Sequence, residues 1–346
     1  MAKIITFIIP AYNAQRYLKK ALDSMIHMDC LEETEIIVVN DGSHDQTEEI
    51  AAEYVKRYPN SIFLLNKENG GHGSAINAGT LKATGKYFKV IDADDWIVTE
   101  NLPAFIQTLR SCTADVVLTP FHQVNMVDGS KSDWRMYCET YETVCTFDKI
   151  IQHWKDFDRC LTFHGITYNR EFYNRYRYEL PEKIFYEDQE YAAIPCCHAS
   201  SVYVLNLYIY QYMVGNSEQS VSAENRLKRI SHVEWVTKDL LIYWKDCKDL
   251  TDSGKEYLLR KIEGVILSHY VVTCIIQKDK RNGRKNAERY NQMIRETVPS
   301  VFERIEKKYK AYYMLNRIHM PFVLYEALLR SKLYSTIRKS HRIEKG

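Results

Sequence analysis

The sequence predicts an α/β fold with a doubly wound, mostly parallel sheet, followed by an all-helical C-terminal region. Short apolar segments alternate with amphipathic ones up to about residue 100, and this βαβαβαβ order is typical of parallel sheets. Beyond Asn225, apolar residues recur at steps of three and four, the period of a helix. Because 346 residues exceed what one core usually holds, we expect two domains, residues 1–222 and 223–346.

Local patterns predict the individual elements. The first four strands are short runs rich in branched apolar residues, at Ile4–Ile9, Glu35–Asn40, Ile62–Leu65 and Lys86–Ile91. Amphipathic runs predict helices at 17–25, Thr47–Tyr58, Ser74–Thr84, Asn101–Ser111 and Lys149–Phe157. Further strands are predicted at Asp115–Pro120 and Tyr208–Val214, and a strand pair between Trp134 and Thr146. The C-terminal pattern predicts helices at Tyr257–Gln277, Ala287–Thr297, Ser300–Tyr313 and Pro321–Arg338, with a basic connector at Lys278–Lys285.

Composition is that of a globular protein, with 45% hydrophobic and 27% charged residues. The nine cysteines are irregularly spaced and include no Cys-x-x-Cys pair, which favours reduced thiols over disulfides or a zinc site. The apolar run at residues 4–9 is too short for a secretory signal, and no apolar window is long enough to span a membrane. These observations predict a cytoplasmic protein.

Three carboxylates, Asp92, Asp94 and Asp95, directly follow the fourth predicted strand. Unpaired buried carboxylates are costly, so we expect them where the strand emerges into a cleft. Asp92 and Asp94 lean to the same side of an extended chain, and such a pair suits a hard cation, Mg²⁺ or Mn²⁺, that also binds phosphates. The alternative is that Asp94 or Asp95 caps a helix.

Polar residues follow each of the four predicted strands: Asn13, Asp41, the glycine loop 69–73 and the aspartates. In a parallel sheet these carboxyl ends meet at one edge, where ligands bind. The sequence lacks Gly-x-Gly-x-x-Gly, which weighs against a dinucleotide-binding oxidoreductase.

Four blocks, FIIPAYNA, EIIVVNDGSHDQT, NGGHGSAINAG and GKYFKVIDADDWI, resemble those of bacterial family 2 glycosyltransferases with the GT-A nucleotide-sugar fold. The resemblance is close over residues 3–98 and looser to about residue 222. It implies an inverting enzyme that moves a sugar from a nucleotide diphosphate, most often UDP, to an acceptor hydroxyl in cell-surface polysaccharide or glycan synthesis.

The resemblance also implies residue roles. Asp41 would hydrogen-bond the base, since a carboxylate can accept the imide N–H of uracil; the alternative is a turn former. Asp94 would bind the metal, and Asp92 the ribose or a metal-bound water, so both are metal candidates. The remaining donor-binding candidates are the first strand end and the glycine loop with its helix, namely Pro10, Ala11, Tyr12, Asn13, Gly70, Gly71 and Asn77.

A second acidic centre, Glu187 and Asp188, lies between apolar flanks at a predicted helix start. An acidic first turn is favourable at any helix N-terminus. The resemblance instead makes this pair the source of the catalytic base, which is needed because an acceptor hydroxyl must lose its proton during attack. Asp188 is favoured over Glu187 because it occupies the second position of the pair. His164 is a further candidate, although a structural histidine is the simpler interpretation. Residues 215–222 resemble a loop that closes over the diphosphate, but carry Gln219 and Ser220 where relatives often have a basic residue.

Charge is unevenly distributed along the chain. Residues 278–346 carry 18 Lys and Arg against 7 Asp and Glu, a net +11, which leaves −9 on residues 1–277. The predicted helix at Pro321–Arg338 is basic and amphipathic, and could lie on an anionic inner membrane surface beside a lipid-linked acceptor. A packed helix with a solvated basic face is the simpler interpretation, and a homodimer contact stays open. We expect no nucleic-acid partner.

Two other functions are compatible with the sequence. A metal-dependent nucleotidyltransferase also uses acidic sites on an α/β sheet, although it usually has a basic glycine-rich loop early in the chain. A non-catalytic scaffold would bind a partner through the helical C-terminus, but the complete set of aspartates argues against it.

Overall fold

The computed structural model describes residues 2–138, 141–215, 223–329 and 331. Its strands are β1 Ile5–Ala11, β2 Thr34–Asp41, β3 Ile62–Lys67, β4 Tyr87–Val90, β5 Trp96–Ile97, β6 Val116–Leu118, β7 Phe121–Asn125, β8 Lys131–Trp134, β9 Thr143–Thr146, β10 Ile166–Asn169, β11 Ser201–Val204 and β12 Tyr210–Val214. Its helices are α1 Leu18–Ser24, α2 Thr47–Arg57, α3 His72–Lys82, α4 Leu102–Ser111, α5 Phe147–Gln152, α6 Trp154–Phe157, α7 Arg170–Arg175, α8 Asp188–Ala193, α9 Ala223–Lys228, α10 Ile230–Asp246, α11 Asp252–Tyr270, α12 Lys280–Thr297 and α13 Pro299–Arg317. Two compact units divide the chain: Met1–Gln219 with Cys247–Leu258, and Ser220–Asp246 with Leu259–Gly346.

The main sheet has eight strands in the order β3-β2-β1-β4-β10-β6-β11-β9. Strands β1 to β4 are mutually parallel, as the sequence predicts, with Ile8 opposite Ile37 on one side and Val90 on the other. All seven residues of β1 are buried, because both faces of a central parallel strand are covered. Strand β10 is antiparallel to its neighbours β4 and β6, so the sheet is mixed.

A second sheet, in the order β5-β12-β7-β8, begins directly after the aspartate cluster. The predicted strand pair between Trp134 and Thr146 is wrong. Strand β8 pairs with β7 in this second sheet, whereas β9 pairs with β11 in the main sheet. The predicted single helix at Lys149–Phe157 is two short helices, α5 and α6, that meet at His153.

Helix α3 lies unusually close to the main sheet because Gly79 faces it. A Cβ atom at Gly79 would lie 2.3 Å from Cγ2 of Ile8, so only glycine fits there. This close packing fixes α3 against β1 and brings the beginning of α3, at His72, to the carboxyl edge of the parallel strands.

The second unit is helical. Helix α12 begins at Lys280, capped by Asp279, so the predicted basic connector at Lys278–Lys285 is mostly the first turns of a helix. The long helix predicted to Gln277 ends as α-helix at Tyr270 and continues as a π-helical turn, Val271–Ile276. A helical stretch occupies 322–329; the rest of the predicted basic helix, with Arg330, Lys332 and Arg338, lies outside the described residues, as does 216–222 of the predicted loop. Among the described residues, every helix is too short or too polar to traverse a lipid bilayer.

Candidate active site

Asp41, the last residue of β2, organises the glycine loop. Its side chain is buried, and its two carboxylate oxygens accept the backbone N–H groups of Gly70 at 2.9 Å and Gly71 at 2.8 Å. Lys67 Nζ lies 2.8 Å from the same carboxylate, and Asn69 donates to the Asp41 carbonyl. The loop therefore depends on Asp41, a contact that the sequence did not reveal. Its role in binding the base stays a prediction.

The aspartate cluster joins the end of β4 to the second sheet through Asp95. Asp95 is buried and accepts hydrogen bonds from Tyr210 Oη and from the Met213 backbone, both at 2.6 Å. Burial, together with the charges of Asp94 and Asp92, raises the pKa of Asp95 well above its ordinary value. Asp92 and Asp94 are only partly buried, so they are the more accessible carboxylates of the cluster.

His72, the first residue of α3, bridges the two acidic centres. Its Nδ1 lies 2.5 Å from Glu187 Oε1, and its Nε2 lies 2.9 Å from Asp92 Oδ1. Ionised carboxylates only accept hydrogen bonds, so both ring nitrogens must donate when both acids are charged. Loss of hydration would lower the pKa of His72, but Asp92 and Glu187 outweigh it and raise that pKa well above its usual value. Sequence reasoning missed this residue, although a histidine inside the Gly-Gly-His-Gly loop was a visible signal.

Asp188 begins α8 beside Glu187, which is almost fully buried. Burial, and then the charge of Glu187, raises the pKa of Asp188 to about 6. The side chain of Gln189 donates to Asp188 Oδ2 at 2.9 Å. A carboxylate with a pKa near 6 is a competent general base near neutral pH.

The segment before this acid pair is tied to the glycine loop and to α3. The Asn77 side chain pairs with the backbone of Leu180, donating to its carbonyl at 2.8 Å and accepting from its N–H at 3.1 Å. Ser74 donates to Glu182, and the Lys183 N–H donates to the Gly70 carbonyl. Both polar atoms of the Asn77 side chain are thus bonded to Leu180. The predicted role of Asn77 in binding the nucleotide-sugar donor stays a prediction.

His164 lies near the aspartates and adds a neutral nitrogen. Burial lowers its pKa to about 4, and the buried Lys89 behind it donates to its backbone carbonyl at 2.7 Å. One ligand atom from each of Asp92, Asp95 and His164 lies within 4.8 Å of the others. Carboxylate oxygens and a neutral imidazole nitrogen are donors that Mg²⁺ or Mn²⁺ can take, so these three residues are candidate ligands for such an ion. Direct metal binding by Asp94 stays a prediction.

The loops after β1 and β2 border an open cavity of about 390 Å³ lined by Asn13, Gln15, Arg16, Tyr17, His44 and Asp45. Several hydrogen bonds join these loops, among them those from the Asn13 N–H to Ser43 and from the His44 N–H to Asn13 Oδ1. Of the four donor-binding candidates at the end of the first strand, Pro10 and Ala11 are buried within β1, whereas Tyr12 and Asn13 are exposed. Donor binding by these residues stays a prediction.

A comparison with known protein families identifies the family to which this sheet and its acidic edge belong. The sequence profile described as glycosyl transferase family 2 matches residues 6–177, which contain β1 to β4 and the aspartate cluster. The chain belongs to glycosyl transferase family 2. The resemblance seen in the four sequence blocks is thereby confirmed.

Relatives and solved structures agree with this assignment. Glycosyltransferase GlyA of Streptococcus pneumoniae is 29% identical over 51% of this chain, which spans 26% of GlyA. The minor teichoic acid biosynthesis protein GgaB of Bacillus subtilis is 42% identical over 33% of this chain, which spans 13% of GgaB. The chain thus spans only a part of the length of these relatives.

The crystal structure of S. aureus TarS 1-349 in complex with UDP-GlcNAc has a TM-score of 0.63 at 19% identity. The similarity covers 90% of this chain and 89% of the TarS chain. At this identity the likeness shows the fold, which is a GT-A-type mixed sheet followed by a helical C-terminal region.

Proposed function

We propose that this family 2 member is an inverting glycosyltransferase that moves a sugar from a UDP-linked donor to a hydroxyl group of a cell-surface polysaccharide or glycan. The proposal rests on one observation, the bridge that His72 makes between Asp92 at the end of β4 and the acid pair at α8. TarS binds UDP-GlcNAc and GgaB is named for teichoic acid biosynthesis, which supports a UDP-sugar donor and an acceptor of the teichoic acid type.

The residues of the chain supply the base in this reaction. Asp188 accepts the proton of the acceptor hydroxyl, whose oxygen forms a bond to the anomeric carbon as the bond from that carbon to the diphosphate breaks. A single displacement from the side opposite the diphosphate inverts the anomeric centre and releases UDP. Burial raises the pKa of Asp188 to about 6, so transfer should fall about tenfold per pH unit below that value.

A divalent cation, Mn²⁺ or Mg²⁺, supplies charge neutralisation for the leaving diphosphate when it is bound. By resemblance Asp92 and Asp94 would hold it, and the positions of Asp95 and His164 add two further donors. The first-strand residues and the glycine loop would hold the nucleotide.

The first experiment screens nucleotide sugars with Mn²⁺ by thermal shift, and then measures UDP release from those that bind. Asp188→Asn should retain UDP binding in calorimetry and lose at least about 100-fold in turnover, within the range of general-base contributions. Asp128→Asn, in an exposed turn, is the matched control and should behave as the parent. Absence of UDP binding would overturn the proposal, and turnover of Asp188→Asn at the parental rate would overturn the base assignment. Full activity in excess EDTA would refute the role of the metal.

The C-terminal region supports an extension of this proposal, a peripheral contact with an anionic membrane surface that carries a lipid-linked acceptor. Ile318, Val323 and Leu324 are at least half exposed, and the sequence from residue 278 carries a net charge of +11. Co-sedimentation should be strong with vesicles containing phosphatidylglycerol and weak with neutral phosphatidylcholine vesicles. Equal binding to both would refute the electrostatic contact, and a dimer in light scattering without vesicle binding would favour a homodimer contact instead.

A further inference from the structure

The two contacts of His72 connect distant parts of the first unit. Glu187 lies 115 residues beyond His72 in the chain, and Asp92 lies 20 residues beyond it. The Glu187 side chain is 5% exposed and that of Asp92 is 28% exposed, so the bridge runs from the interior to the open edge of the site. A buried carboxylate that is hydrogen-bonded on a defined side has little freedom to reorient.

The backbone of the segment that carries the acid pair is strained, so contacts with other elements are needed to hold it in place. Lys183 has φ of +56° and Tyr186 has φ of +70°, a left-handed conformation that non-glycine residues seldom adopt. The contacts from Ser74, Asn77 and Gly70 tie residues 180–183 to α3 and to the glycine loop. His72 instead holds Glu187, beyond the strained residues, and at the same time reaches Asp92 on the strand end.

We propose that His72 is a positioning residue that fixes the acid pair of α8 relative to the Asp92 end of β4, and so places the base opposite the donor. This inference rests on the proposed transferase function. In that reaction the base and the donor come from elements far apart in sequence, and a displacement of about 1 Å between them would reduce turnover about 100-fold. In this role His72 orients Asp92 and Glu187 and does not take over the function of either carboxylate.

Two amide substitutions can separate the two halves of the bridge. In His72→Asn, the side-chain nitrogen occupies nearly the position of Nδ1 and can still donate to Glu187. In His72→Gln, the nitrogen occupies nearly the position of Nε2 and can still donate to Asp92. His72→Ala removes both contacts. His122→Ala is the matched control, because His122 also contacts an aspartate, Asp133, at 2.9 Å but lies in the second sheet on β7.

The variants are compared in UDP release from UDP-GlcNAc with Mn²⁺, in calorimetry with UDP and Mn²⁺, and in hydrogen exchange of peptides covering residues 180–190. His72→Ala should lower kcat about 10- to 100-fold, as loss of an orienting partner commonly does, and should weaken UDP binding. His72→Asn should restore kcat and slow exchange at residues 180–190, while UDP binding stays weak. His72→Gln should restore UDP binding, while kcat stays low and exchange stays fast. His122→Ala should match the parent in all three.

Two results would overturn the inference: unchanged exchange at residues 180–190 in His72→Ala, or identical behaviour of His72→Asn and His72→Gln in kcat and UDP binding. A histidine that only stabilises the fold would produce the second result. If the parent protein itself neither binds UDP nor turns over UDP-GlcNAc, the proposed function fails, and the exchange measurements still decide whether His72 holds the segment.

Discussion

Replacing Asp188 by asparagine should stabilise the fold at alkaline pH while it removes the base. The pKa of this carboxyl is raised from 3.8 to about 6, mainly by burial. A raised pKa means that the native state prefers the protonated acid, so its favourable contribution is complete below 3.8 and is lost as pH rises through 6. At pH 8 the ionised carboxylate therefore lowers the unfolding free energy by up to about 3 kcal/mol, because each unit of difference in pKa corresponds to about 1.4 kcal/mol.

That figure is an upper bound, because Asp188 keeps some exposure to solvent and water screens its charge. Asparagine has a similar shape and no charge, so it avoids the cost. The variant should therefore exceed the parent in unfolding free energy by at most about 3 kcal/mol at pH 8, and this difference should shrink below about 1 kcal/mol by pH 4. Comparing the two pH values cancels effects of the substitution that do not depend on ionisation.

Urea unfolding with EDTA present, followed by circular dichroism and tryptophan fluorescence at both pH values, measures this difference. Asp128→Asn is the control, since hydrogen bonds from Ser130 lower the pKa of Asp128 and its replacement should give no gain at pH 8. A stability difference for Asp188→Asn that is the same at pH 4 and pH 8 would refute the raised pKa, and with it the argument that burial prepares this residue as a base.

Three further predictions concern the parts that surround the site. Asp41→Ala leaves the N–H groups of Gly70 and Gly71 without their acceptor. It should therefore lower the unfolding free energy in urea by about 1–3 kcal/mol and weaken UDP binding in calorimetry. Unchanged values for both would contradict the role of Asp41 in the loop. Gly71→Ala should lower Tm and turnover, because φ is +89° and a Cβ would lie 2.8 Å from the Lys183 nitrogen; parental Tm would show that the loop adapts freely. Burial lowers the pKa of Lys89 to about 7, so the native state prefers the neutral amine and the stability of the parent should rise with pH from 7 to 9. Lys89→Met should abolish that rise in thermal melts. A rise that persists in the variant would show that a group other than Lys89 titrates.

Much of the fold follows from local patterns. The four parallel strands were predictable because each is a short apolar run bounded by polar turns, and β1 to β4 lie where the sequence places them to within a few residues. The convergence of Asp41, the glycine loop and Asp92 followed from the same pattern, since parallel strands end at one edge. The error between Trp134 and Thr146 had a physical cause: adjacent strands in sequence pair only when the intervening chain forms a hairpin, and here each strand found a different partner.

The sequence by itself determined the residue types at the site, the strand ends that carry them and the family to which the chain belongs. Only the tertiary structure decided which of those residues touch. Three contacts show this: His72 with Glu187, Asn77 with Leu180, and Asp95 with Tyr210. Each joins residues more than 100 positions apart in the chain. Local periodicity encodes which face of an element is apolar, whereas contacts over such separations depend on how all the elements pack at once.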